Sequence, residues 1–134
     1  MDRRIDNFRE LIVWQKSMML AEHCYRLAAH FPRPDGGPLA WQIRRSVLSI
    51  PSNIAEGHEL SLAAYRHHVR ISLGSLAELQ TQLDLAWRTR MVDGESYEET
   101  RQQLEPLQRM LRKLLGALTR RARMKSGMDK ALRG

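Results

Sequence analysis

Two stretches of this chain place apolar or small residues at alternating intervals of three and four. Leu62, Tyr65, Val69, Ser72, Leu76, Leu79, Leu83 and Ala86 form one series, and Leu104, Leu107, Leu111, Leu114 and Leu118 form the other. An α-helix returns to the same face at that interval, whereas a strand needs a period of two. A face of this kind is buried by neighbouring helices that cross at a shallow angle. Runs alternating Val, Ile and Thr are absent, and aromatic residues make up only 6% of a chain that is 43% hydrophobic. That usage favours helices over twisted sheets. A length of 134 residues supports one well-buried core and one domain.

The remaining segments fit the same plan. From Glu10 to Phe31 two apolar stripes run along a predicted first helix: Leu11, Trp14, Met18, Ala21, Tyr25 and Ala28, and beside them Val13, Leu20, Cys24, Leu27 and Phe31. Together they cover more than one face, so the second stripe is expected to be buried by a neighbouring subunit. The turn cluster Pro32-Arg33-Pro34-Asp35-Gly36-Gly37-Pro38 ends that helix. A second helix is predicted from Leu39, interrupted or kinked at Pro51, with Ser52 capping a resumed turn and Gly57 closing it. The third helix runs from Ser61 to about Arg90. Ser96-Tyr97-Glu98-Glu99 is a capping box, so the fourth is expected to open at Ser96, with Pro106 marking either a kink or a later start. Residues 125–134 read as a basic, frayed tail beyond a bundle of residues 1–124. The fold expected is all-α, an antiparallel up-and-down four-helix bundle with a Pro-kinked second helix.

No apolar run has the length of a signal segment or a membrane span, which points to the cytoplasm with no membrane partner. Cys24 is the only cysteine, so one chain forms no disulfide, and its place in an apolar pattern reads as core. Adjacent His67 and His68 diverge by about 100° on a helix, and His23 and His30 lie two turns apart, so neither pair converges on a metal. No phosphate-binding glycine loop, nucleophile elbow or zinc-protease motif is present, and neither an enzymatic activity nor a cofactor is expected. Residues 54–68 scan like a helix-turn-helix but place Glu59 where the turn favours Gly and bulky Tyr65 where a small buried residue is needed.

Charge is the more informative signal. Residues 1–100 hold twelve Lys/Arg and thirteen Asp/Glu, a balance of −1, while residues 101–134 hold ten and two, a balance of +8. Arg109, Arg112, Lys113, Arg120 and Arg123 fall by helical spacing on one side, opposite Leu104, Leu107, Leu111 and Leu118. With Arg121, and with Arg44 and Arg45 on the second helix, they form the candidate nucleic-acid-binding set. No aromatic residue interleaves with the C-terminal cations, so contact is expected with phosphates and not with bases. The alternative is a solvated face on a structural or protein-interaction scaffold.

Phe8-Arg9-Glu10-Leu11, Val13-Trp14-Gln15-Lys16, Gln42-Ile43-Arg44-Arg45-Ser46, Ser49-Ile50-Pro51-Ser52-Asn53-Ile54-Ala55-Glu56-Gly57 and Gly74-Ser75-Leu76-Ala77-Glu78-Leu79 also carry a resemblance. They are similar to the four-helix-bundle family of proteins encoded in intervening sequences of 23S ribosomal RNA genes, of which the accessory variability determinant of diversity-generating retroelements is a related branch. The resemblance implies a homopentamer with a basic surface, which in the retroelement branch meets nucleic acid and a reverse transcriptase; it implies no catalytic residue. His68-Val69 replaces the usual Phe-Leu, and Arg90-Met91-Val92 replaces a common Gly-Tyr. Physically, the Ile50–Gly57 run reads as structural: Pro51 bends the helix and Ser52 and Asn53 satisfy the freed backbone groups. Gly74 is expected to allow close helix approach, and Glu56 or Glu78 to pair with Arg44 or Arg45.

Overall fold

The computed structural model describes residues 7–133. Residues 1–6, part of the sequence searched above for a signal segment, lie outside the described residues. A short 3-10 turn, Phe8–Glu10, leads into α1 (Ile12–Ala29), α2 (Gly36–His58), α3 (Leu62–Arg88) and α4 (Gly94–Arg133). Among the described residues there is no strand, and no helix is long and apolar enough to cross a membrane. Each helix packs on the next and α4 closes back on α1, while α2 and α4 lie diagonally across the core with no Cα atoms within 8 Å of each other. The result is the expected antiparallel four-helix bundle.

The three-four series decide the core. Val69, Leu76, Leu79, Leu83 and Ala86 from α3 meet Leu104, Leu107, Leu111 and Leu118 from α4, with Ile43, Val47, Ile50 and Ile54 from α2. Cys24 lies fully buried among them, and burial pushes its thiol up to about 12. The two stripes of α1 come out differently from expectation. Val13, Leu20, Cys24 and Phe31 of the second stripe are buried, but Ala21 and Ala28 of the first are buried too, Leu11, Trp14 and Met18 are half-buried, and Tyr25 is exposed. Trp14 finds its cover within the chain, edge-on to Phe8 at 5.4 Å between ring centroids. The chain covers most of both stripes because α2 and α4 flank α1 on two sides.

Helix boundaries correct several expectations. α2 starts at Gly36 and runs unbroken through Pro51, so Ser52 caps no resumed turn and is exposed, and the expected kink has no break to mark it. Asn53 donates from Nδ2 to the Ser49 carbonyl at 2.8 Å, and not to the Val47 carbonyl, the one that Pro51 leaves without its helical N–H partner. A donor from another helix joins it, as Ser72 Oγ on α3 bonds the Ile50 carbonyl at 2.9 Å. Gly57 is no C-cap. It lies inside α2, where an added Cβ would come within 2.8 Å of His68 Cβ and 3.1 Å of Tyr65 Cα. Around Gly74 a Cβ would meet nothing within 4 Å, so the close approach belongs to Gly57 and not to Gly74. Gly57–Tyr65, Asn53–His68, Ile50–Ser72 and Ser49–Ser75 contacts descend α2 as they climb α3, which makes the pair a long antiparallel hairpin and not a helix-turn-helix.

Ser61 caps α3, its Oγ accepting from the Ala64 N–H at 3.2 Å. At the other end Arg90 takes φ 63°, with its N–H on the Trp87 carbonyl and the Met91 N–H on that of Ala86. This is a Schellman cap whose left-handed position favours glycine, the residue that the resemblance makes common there. α4 begins at Gly94 and not at Ser96, because Asp93 Oδ1 accepts the Ser96 N–H at 2.7 Å. That bond holds the Asp93 carboxyl below its ordinary range. Pro106 is accommodated inside α4, which also continues through the predicted frayed tail to Arg133. Extension from a packed helix needs no new nucleus, and Met, Lys, Ala, Leu and Arg propagate it despite Gly127.

Candidate nucleic-acid interface

α4 is 40 residues long, about 60 Å at 1.5 Å per residue, against about 27 Å for α1 and 40 Å for α3. Its inner face is fixed by Leu104, Leu107, Leu111 and Leu118, all buried. Measured from Leu118 at 100° per residue, Arg112, Arg123, Arg109, Arg120 and Lys113 fall within an arc of roughly 100° on the opposite side. All five are exposed. The sequence-predicted stripe therefore exists as a continuous outer face of one helix.

Among the described residues none of these five cations lies within ion-pair distance of a carboxylate. Arg101, about two turns before Arg109, contrasts with them: it is held by Glu98 at 3.3 Å and Glu105 at 2.6 Å. Like charges three or four positions apart, such as Arg109 with Arg112 and Lys113, each oppose helix formation by about 0.2–0.5 kcal/mol. Favourable interaction with the helix dipole is confined to the last turn, so it does not account for cations spread over four turns. The guanidinium of Arg120 lies back along the helix, its Nη1 near Gly116.

The other three candidates lie elsewhere. Arg121 falls off the stripe, toward Tyr65 on α3, whose hydroxyl its charge helps to ionise against the stronger opposing effect of burial. Arg44 and Arg45 sit on α2, diagonally across the bundle from α4. Arg44 lies over the Tyr25 ring at 5.5 Å and donates to the Tyr25 carbonyl at 3.3 Å, and Arg45 lies over Trp41 at 5.3 Å. Neither pairs with Glu56 or Glu78 as expected. The exposed rings of Tyr25 and Trp41 take the guanidiniums instead. Lys125, Lys130 and Arg133 belong to the segment expected to fray, and continuation of α4 makes them a helical extension of its basic length.

The strongest sequence motif builds an interior polar chain. Ser49 Oγ and Ser75 Oγ are 2.7 Å apart, Asn53 Nδ2 donates to Ser49 Oγ at 3.0 Å, and Asn53 Oδ1 accepts from His68 Nδ1–H at 2.9 Å. Because the Asn53 amide nitrogen is committed to Ser49, its oxygen faces His68 and fixes that tautomer. His68 thus replaces an apolar residue by joining a network, beside fully buried Val69. His23 is similarly engaged. Thr100 gives its proton to the Ser96 carbonyl, so its oxygen accepts from His23 Nε2–H at 2.8 Å. Burial lowers the His23 pKa, against the opposing pull of Glu99. Among the described residues no group of three His, Cys, Asp or Glu side chains is placed to hold a metal ion.

These features define a four-helix bundle whose longest helix presents an exposed basic face. The chain belongs to the family of 23S rRNA-intervening sequence proteins, whose model matches residues 9–113. It is similar to a crystal structure from Bacteroides thetaiotaomicron described as a protein of unknown function from the S23 ribosomal protein family. The two share 25% identity at a TM-score of 0.73, over 78% of this chain and 98% of that one. Among functionally curated proteins none matches.

Proposed function

We propose that this protein is a non-catalytic, self-associating bundle that binds nucleic acid through phosphate contacts along α4. The observation that carries the reading is the line of Arg109, Arg112, Lys113, Arg120 and Arg123 on one exposed face without a carboxylate partner among the described residues. Cations gathered against their mutual repulsion suit a polyanion, and phosphate contacts need no base-stacking platform. Self-association rests on the apolar surface left outside the bundle. Trp41 is 56% exposed, Leu48 49% and Tyr25 42%, and Trp41 and Leu85 border an open depression of about 450 Å³. The family resemblance favours five copies, which would repeat the basic face and let modest contacts act together.

The test is binding of the full chain to labelled RNA and DNA across a salt series. Affinity is expected to fall with a log–log slope of about −0.7 to −0.9 per phosphate neutralised. Changing Arg109, Arg112, Arg120 and Arg123 to Glu should abolish binding and leave helix content unchanged. A variant that binds as tightly as the parent overturns the nucleic-acid reading and leaves a scaffold.

A further inference from the structure

The C-terminal third of α4 differs from the rest of the molecule. Leu118 is its last buried residue, and from Arg123 to Arg133 every position is exposed. The family match ends at residue 113. The segment is thus a helical arm standing clear of the bundle and lying beyond the part of the chain that the family model describes.

Its faces are sorted. By helical rotation Met124, Met128, Ala131 and Leu132 share an arc of roughly 100°, and Arg120 and Lys125 stand at the two edges of that arc, roughly 140° apart. Asp129, the arm's acidic residue, points away from the centre of the arc by roughly 110°. Met124, Met128 and Leu132 are respectively 69%, 67% and 85% exposed. Arg121 falls within the same arc at its bundle end, and Arg123, Lys130 and Arg133 lie on the opposite side, so the apolar patch of Met124, Met128 and Leu132 is surrounded by cations. Such a helix fits a groove with phosphate walls and an apolar-tolerant floor.

Resting on the nucleic-acid function proposed above, we infer that the arm docks as a helix in the major groove of B-form duplex DNA. That groove, about 12 Å wide, admits an α-helix and presents thymine methyl groups on its floor. Arg120 and Lys125 would meet the two backbones, Met124 and Met128 would leave water against the floor, and Asp129 would lie off the floor, beside Lys125 four positions before it. The major groove of duplex RNA is too deep and narrow for side chains to read. Single strands are gripped by aromatic stacking, and no aromatic residue follows Tyr97. The arm alone in the described structure is helix exposed on all sides, as groove insertion requires.

The experiment compares the full chain with its Ser126→Pro variant, in which a proline interrupts the arm's helix without changing any charge. Fluorescence anisotropy is read with duplex DNA, duplex RNA of matching sequence and single-stranded DNA at one salt concentration. The parent should prefer duplex DNA by about tenfold or more and should shield guanine N7 in the major groove from methylation. Ser126→Pro should remove that preference and the shielding while the bundle melts as before. Duplex DNA bound equally by both proteins, or no better than the other two probes by the parent, overturns the groove assignment and leaves the phosphate-binding function standing. A parent that binds none of the three overturns both.

Discussion

Gly57 on α2 and His68 on α3 approach so closely that a Cβ at position 57 would lie 2.8 Å from the Cβ of His68. The hairpin of α2 and α3 closes on that contact, and the polar chain from His68 through Asn53 to Ser49 and Ser75 depends on the helix separation it sets. Gly57→Ala should therefore destabilise the bundle by about 1–3 kcal/mol, the usual range for overpacking. Gly74→Ala, in open space within α3, should stabilise it by about 0.5–1 kcal/mol. Urea unfolding of the two variants beside the parent checks both signs; equal effects would remove the close-approach role from Gly57.

Arg90 holds φ 63° at the Schellman cap of α3. A left-handed L-residue is disfavoured by about 1–2 kcal/mol and glycine is not. Arg90→Gly is expected to raise stability by about 1 kcal/mol after its own loss of chain entropy. A lower unfolding midpoint in the variant would show that the Arg90 side chain contributes more than its backbone position loses.

His23 carries a pKa lowered by burial in the folded chain, so the unfolded chain binds its proton more readily. Its contribution to stability is complete above the unfolded value of about 6.5 and is lost as pH falls through the lower folded value. His23→Gln, which keeps a donor for Thr100, should flatten the change in unfolding midpoint between neutral pH and about pH 5. An unchanged pH dependence would assign it to other groups.

Trp41 and Leu48 remain half outside the bundle on one face of α2. If self-association covers them, Trp41→Ser with Leu48→Ser should lower the mass measured by light scattering while the circular dichroism of the bundle is retained. A parent that is monomeric at micromolar concentration would sink this part of the proposed function without touching the basic face of α4.

The number, kind and inner faces of the helices were legible in the residues themselves, because helical periodicity is local. Leu76 and Leu79, or Leu107 and Leu111, announce a buried face before any neighbour is known, and all four are buried. The outer placement of Arg109, Arg112, Lys113, Arg120 and Arg123 follows from the same geometry. Relations between helices were not legible. Periodicity could not say that Gly57 and not Gly74 faces a neighbour at close range, that Arg44 meets Tyr25 instead of a glutamate, or that α2 lies across the bundle from α4. Each depends on which surfaces, distant in sequence, are brought together, and burial of the whole core decides that. The arm sits between the two cases. Its residues propagate a helix well enough, but in isolation the segment would be too short to persist, and the packed length of α4 before it supplies the nucleus.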